Sequence, residues 1–145
     1  SFALAQQSQR PDFSGVWKFN PETSKLQIPV PSSPTFSLDH KEPKFHLSRT
    51  HVYDGKPDTW SINLTTDGKE VVEQEGDQTV RVRLYWQGND LIFDSIIALK
   101  DRQATNVVRY NLSPDGKIFT ATESFRGPKR KYDNIWVFDK ESSGK

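Results

Sequence analysis

The sequence contains no cysteine. This absence excludes a disulfide scaffold, a thiol nucleophile and a zinc site built from thiolates. No apolar run approaches the length of a transmembrane helix, so membrane insertion is not expected. An excess of charge of one sign is also lacking, because 20 lysines and arginines stand against 19 aspartates and glutamates. Such a balance gives no long-range field that would attract nucleic acid or anionic lipid.

The chain is long enough, at 145 residues, for one domain that buries most of its apolar surface. We expect this domain at 11–141, after a disordered leader at 1–10 and before a disordered tail at 142–145. Ala3-Leu4-Ala5 has the A-x-A form of a signal-peptide cleavage site, and Gln6 follows it. We therefore expect an exported protein. Without cysteine, it fits the bacterial periplasm or cell exterior better than a disulfide-rich secretion.

From residue 35 onward, apolar and polar residues alternate in short runs that turn residues interrupt at regular intervals. This pattern is typical of an antiparallel all-β protein and not of βαβ units. A short helix is predicted at 21–26, with Asn20 as its N-cap and Pro21 in its first turn. Ten strands are predicted, at 15–20, 34–41, 44–53, 57–65, 69–75, 78–87, 91–100, 103–112, 117–125 and 131–139.

Tight turns between the predicted strands fix which residues face each other, and six turns agree on a single apolar face. A sheet with one apolar face and no covering helices must curl that face inward. The sequence therefore predicts an antiparallel up-and-down β-barrel of eight to ten strands. The predicted pairs include Leu38 with Leu47, Arg49 with Trp60, Leu64 with Val71, Glu73 with Val80, Leu84 with Phe93, and Leu99 with Ala104.

The orientation of the ninth strand has two solutions. A tight turn at Asp115-Gly116 directs Phe119, Glu123 and Phe125 into the barrel. A three-residue turn with a glycine bulge directs Thr122 inward instead. The first solution is favoured because it buries two phenylalanines.

The Gly15-x-Trp17 motif at the head of the first strand resembles the N-terminal fingerprint of the lipocalins and their calycin relatives. In those proteins the tryptophan closes one end of the barrel beneath a ligand cavity. Ten strands are closer to the fatty-acid-binding branch, and "DFSGVWKFNPETSKL" at 12–26 is similar to bacterial exported lipocalin-like proteins. The resemblance implies binding of a small, largely hydrophobic ligand. A departure from the lipocalin pattern is the lack of a clear arginine partner for Trp17.

Polar residues on the predicted inner face gather toward one end of the barrel, beneath the connection at 20–34. Inward polar groups must find partners or face water, so this end is suited to a ligand cup. A carrier, scavenger or sensor is the leading interpretation, with no cofactor, nucleic acid or protein partner expected. The candidate ligand-binding residues are Arg49, His51, Trp60, Glu73, Phe93, Ser95, Asn106 and Tyr110.

Two other interpretations of the polar end stay open. One is a hydrated rim without ligand, in which His51 faces Asp58 and Arg49 lies over Trp60. The other is an enzyme of isomerase, hydratase or lyase type, with His51 and Glu73 as acid and base and Glu123 as a further candidate.

A metal site is not expected from the three histidines. His40 and His51 face inward near opposite ends of the barrel, and His46 faces outward, so no two of them converge.

Overall fold

A computed structural model describes residues 10–141, apart from the side chains of Ser33 and Tyr53. The predicted cleavage motif at 3–5 and the tail at 142–145 lie outside the described residues. Within 10–141 the chain forms ten strands, as predicted from the sequence. They are β1 (Gly15–Phe19), β2 (Ser32–Lys41), β3 (Lys44–Tyr53), β4 (Lys56–Thr65), β5 (Val71–Glu75), β6 (Gln78–Gln87), β7 (Asp90–Leu99), β8 (Arg102–Leu112), β9 (Ile118–Arg126) and β10 (Lys131–Lys140).

The strands form one antiparallel sheet in the order β4-β3-β2-β1-β10-β9-β8-β7-β6-β5. β1 pairs with β10, so the first and last strands of the chain are neighbours near the centre of the sheet. The sheet curls into a nearly closed barrel with its apolar side inward, so that β4 comes to lie beside β6. A gap between β4 and β5 remains where the ladder does not close.

The predicted register is confirmed at most hairpins, including the pairs Arg49 with Trp60 and Leu84 with Phe93. The predicted pairing of Leu99 with Ala104 is wrong by two residues, because Leu99 pairs with Arg102. Lys100 adopts a left-handed φ of 54°, which centres the turn one residue earlier than predicted. A shift of two residues leaves every side chain on its predicted face.

The predicted pairing of Leu64 with Val71 is wrong, because β4 and β5 form no ladder with each other within residues 10–141. The connection between them turns away from β4 toward other strands. The Thr66 N–H donates to the Pro43 carbonyl at 2.9 Å, and the Gly68 N–H donates to the Leu84 carbonyl at 2.8 Å. These bonds hold the two strands apart and leave the gap in the barrel wall.

The short helix predicted at 21–26 is absent, and no residue of 10–141 is helical. The Asn20 Oδ1 atom does accept the N–H of Glu22 and Thr23, as an N-cap does. The turn then stops, and Lys25 exchanges two backbone hydrogen bonds with Ile135 of β10, at 2.8 and 2.7 Å. Because β10 continues beyond the end of β1, its free backbone groups favour an extended partner over a helix.

The segment 20–31, which we call the strap, thus continues alongside β10 in place of β1. Leu26 and Ile28 of the strap pack against the barrel core at the end opposite Trp17. No helix within 10–141 is long and apolar enough to cross a membrane.

Trp17 is fully buried and closes one end of the barrel. Its Nε1 donates to the Phe13 carbonyl at 3.0 Å, and its ring packs on Phe119 with centroids 5.5 Å apart. Lys140 places Nζ 5.7 Å from the ring centroid, so a lysine supplies the cation where no arginine was found. Gly15 has a φ of +143°, and a Cβ there would lie 3.1 Å from the Lys140 side chain. Position 15 therefore requires glycine, mainly because other residues rarely adopt this φ.

A hydrogen-bonded network seals the same end. The His40 Nδ1 accepts the Phe13 N–H at 3.1 Å, so its proton lies on Nε2, which contacts Glu42 at 2.5 Å. Glu42 also accepts hydrogen bonds from Thr66 at 2.8 Å and from Trp86 at 3.1 Å. Burial would raise the pKa of Glu42, but these hydrogen bonds hold it below its usual value. Trp17 and this network together close this end of the barrel.

Candidate functional site

A cavity of about 70 Å³, here called the inner chamber, lies inside the barrel. Seven of the strands contribute to its wall, and apolar and polar side chains alternate around it. Its lining residues are Phe36, Leu47, Arg49, His51, Trp60, Phe93, Asn106, Val108, Tyr110, Ala121, Glu123 and Trp136.

A second cavity of about 190 Å³, the outer chamber, reaches β5 and β6 beside the gap in the barrel wall. The two chambers share four lining residues and are therefore adjacent, and we call the region of these residues the junction. Those shared residues are Arg49, Trp60, Phe93 and Asn106, and the outer chamber adds Glu75, Gln78, Val80, Ser95 and Ile97.

Arg49 is the cation at this junction. Its guanidinium carbon lies 5.3 Å from the ring centroid of Trp60, within cation–π range. Its Nε atom is buried and has no hydrogen-bond partner among residues 10–141. No carboxylate in that range forms an ion pair with it. Arg49 as a whole is partly exposed, but a buried N–H without an acceptor is costly, so the site favours an acceptor at Nε, and an anion is the strongest acceptor for a guanidinium.

Glu123 is held by three donors inside the barrel. Its Oε1 accepts from Asn134 Nδ2 and from Trp136 Nε1, both at 2.9 Å. Its Oε2 accepts from Asn106 Nδ2 at 2.9 Å. Hydrogen bonds to an ionised carboxylate are stronger than neutral ones, so this carboxylate orients the side chains around it.

Two further groups of the inner chamber are neutral near pH 7. Burial, and then the neighbouring Arg49, lower the pKa of His51 from 6.5 to about 4. The imidazole packs on Trp136 with ring centroids 5.5 Å apart. Burial raises the pKa of Tyr110 well above its usual value. Arg49 and Glu123 are therefore the charged groups of the inner lining.

The structure brings most of the candidate ligand-binding residues together. Arg49, Trp60, Phe93 and Asn106 line both chambers, while His51 and Tyr110 line the inner one and Ser95 the outer one.

Glu73 lines neither chamber, and the outer chamber has Glu75 of the same strand instead. The candidate acid–base pair of His51 and Glu73 is therefore not assembled at the cavity. The third catalytic candidate, Glu123, faces inward as the favoured orientation of β9 requires, and its oxygens are occupied by the three donors described above.

Two residues that donate to Glu123, Asn134 and Trp136, were not predicted from the sequence. Both face inward on β10, where the turn at 127–130 left the register undetermined. The alternation of Asn134, Trp136 and Phe138 is the signal that could have identified them.

No protein-family model matches the sequence, and no curated protein matches it. Solved structures do share its fold. A secretory abundant heat soluble protein from Ramazzottius varieornatus superposes with a TM-score of 0.62 at 12% identity, over 89% of this chain and 94% of that chain. A Schistosoma mansoni fatty acid binding protein in complex with arachidonic acid gives 0.56 at 13% identity, over 90% and 96%.

A zebrafish ileal bile acid-binding protein complexed with cholic acid gives 0.53 at 16% identity, over 89% and 98% of the two chains. The fold is that of a calycin barrel. One of these three structures is a fatty acid binding protein and another is a bile acid-binding protein. Membership of the bacterial exported group and export itself stay predictions.

Proposed function

We propose that the protein binds a small, largely apolar ligand that carries one anionic group, and that Arg49 receives this group. The observation that carries the proposal is the buried Nε of Arg49 at the chamber junction, without a partner among residues 10–141. An anion there would supply both a counter-charge and a hydrogen-bond acceptor.

The surrounding side chains support an apolar ligand body. Phe36, Leu47, Val108, Ala121 and Trp136 provide apolar surface in the inner chamber. Pockets with mostly apolar walls and a few placed polar groups are typical of small-molecule sites.

Two of the neighbouring structures support this choice of ligand class. The Schistosoma mansoni protein holds arachidonic acid and the zebrafish protein holds cholic acid, and both ligands are largely apolar acids. Binding of this kind serves a carrier, a scavenger or a sensor equally, since all three begin with the same step.

Isothermal titration with decanoate and 1-decanol tests this proposal. The two probes have the same chain length and differ in charge at the head. We expect the protein to bind decanoate at least tenfold more tightly than decanol, because only decanoate can pair with Arg49. In Arg49→Met this preference should disappear.

Arg83→Met is the matched control for that experiment. Arg83 is half-exposed on the outer face and forms an ion pair with Asp94 at 2.8 Å. Its removal should leave the preference for decanoate unchanged. Equal binding of decanoate and decanol by the unmodified protein, or an unchanged preference in Arg49→Met, would contradict the proposal.

A further inference from the structure

We infer that the ligand carries a hydroxyl group close to its anionic group, and that Asn106 Oδ1 accepts a hydrogen bond from it. A medium-chain 3-hydroxy acid has this chemistry. The inference rests on the proposed function, since it places the anionic group at Arg49.

The orientation of the Asn106 amide is fixed by Glu123. An ionised carboxylate can only accept hydrogen bonds, so Asn106 must direct its Nδ2 toward Glu123, at 2.9 Å. Its Oδ1 consequently points away from Glu123. That oxygen is buried and has no hydrogen-bond partner in the described part of the chain. A buried acceptor without a donor costs free energy, so the site favours a ligand that supplies a donor.

The hydroxyl of Ser95, the cross-strand partner of Asn106, does not supply this donor. Ser95 lines the outer chamber beside Asn106, but its Oγ donates its single proton to the backbone carbonyl of Asn106 at 3.0 Å. The Oδ1 atom thus depends on a group that enters the cavity.

Arg49 and Asn106 each have one polar atom at the junction that lacks a hydrogen-bond partner among residues 10–141, a donor in Arg49 and an acceptor in Asn106. Both residues line both chambers, and each has a buried polar atom without a partner among residues 10–141. Arg49 Nε is a donor and requires an acceptor, whereas Asn106 Oδ1 is an acceptor and requires a donor. A carboxylate satisfies only the first of these atoms. A carboxylate with a neighbouring hydroxyl satisfies both.

The inner chamber limits the length of the chain that can lie inside it. One water-sized group occupies about 10–15 Å³ of cavity, so a chamber of about 70 Å³ holds about five to seven non-hydrogen atoms. With the carboxylate and hydroxyl at the junction, the remaining chain fits the inner chamber when the acid has about eight to ten carbons.

Isothermal titration of the unmodified protein with decanoate and with each enantiomer of 3-hydroxydecanoate tests the inference. We expect the preferred enantiomer to bind roughly five- to thirtyfold more tightly than decanoate, since it satisfies a buried acceptor. Hydrophobicity alone predicts the opposite order, because the hydroxyl makes the ligand more polar.

Asn106→Ala and the similarly sized Asn106→Leu should both lose this preference, so that each variant binds 3-hydroxydecanoate no more tightly than decanoate. Asn111→Ala is the matched control on the same strand. Asn111 is exposed on the outer face, donates to Asp90 at 2.8 Å, and should keep the preference when replaced.

The outcomes separate this inference from the proposed function. If decanoate binds in an Arg49-dependent way but neither hydroxy acid binds more tightly, the inference is wrong and the proposed function stands. If the preference survives in the Asn106 variants, another residue recognises the hydroxyl and the inference is wrong. If none of the acids binds, the proposed function itself fails. The comparison of ligands on the unmodified protein is decisive even where a variant does not fold.

Discussion

The side-chain amide of Asn134 donates a hydrogen bond to Oε1 of Glu123, at 2.9 Å. The Oδ1 of the same fully buried amide accepts the backbone N–H of Gln27 in the strap, at 2.7 Å. One side chain therefore joins a carboxylate of the cavity wall to the segment that covers this end of the barrel.

Replacement of Asn134 by leucine should loosen the strap. The substitution removes both hydrogen bonds and leaves the Gln27 N–H without its partner, so we expect a loss of about 1–3 kcal/mol in the free energy of unfolding. Amide hydrogen exchange at Gln27 should accelerate, while exchange in β7 should change little. Asn63→Leu, on the exposed face of β4, serves as the control. Unchanged exchange at Gln27 in Asn134→Leu would show that the amide does not hold the strap.

Removal of the Trp17 ring should be among the most destabilising substitutions in the barrel. Trp17→Ala empties a fully buried site and should cost about 3–5 kcal/mol in urea denaturation. Trp17→Phe keeps a ring in the core but loses the hydrogen bond to the Phe13 carbonyl, so it should cost less. A loss below about 1 kcal/mol for Trp17→Ala would mean that this residue does not close the barrel.

His51 should make stability depend on pH in a defined window. Its pKa falls from 6.5 to about 4 on folding, mainly through burial. Between these values the unfolded chain binds a proton at this position and the folded chain does not. The free energy of unfolding should therefore increase as the pH rises from about 4 to about 6.5, and decrease on acidification through the same range.

The variant His51→Phe isolates this contribution. Its urea midpoint should change less between about pH 4.5 and pH 7 than that of the unmodified protein. Ser61→Phe, at an exposed position on the outer face, removes no titratable group and should keep the original pH dependence. An identical pH dependence in His51→Phe and the unmodified protein would contradict the assigned cause.

The strands and most of the register could be predicted from the sequence because the side-chain period of two and the turn residues are local signals. Two predictions failed because backbone groups distant in sequence formed hydrogen bonds with the segment in place of the predicted local ones. Asp67-Gly68 has the sequence of a hairpin turn, yet Gly68 bonds to Leu84 of β6. Lys25 lies in a helix-like stretch, yet it pairs with Ile135. Neither partner can be identified from local sequence.

The candidate site was predictable in outline, since alternation along β3, β7 and β8 places Arg49, Phe93 and Asn106 on the inner face. The direction in which the Asn106 amide points depends on Glu123 of the neighbouring strand, and this relationship leaves no local pattern. The lack of a partner for Arg49 Nε among residues 10–141 is equally a property of the assembled barrel.

The pKa of a bound ligand carboxyl tests the role of Arg49 most directly. Decanoate labelled with ¹³C at its carboxyl carbon reports this pKa by NMR as the pH is varied. Burial without a cation raises the pKa of a carboxyl group, whereas an adjacent cation lowers it. We predict that the bound carboxyl titrates below free decanoate in the unmodified protein and in Arg83→Met, and above it in Arg49→Met. A bound carboxyl that titrates at or above the free value in the unmodified protein would contradict the account.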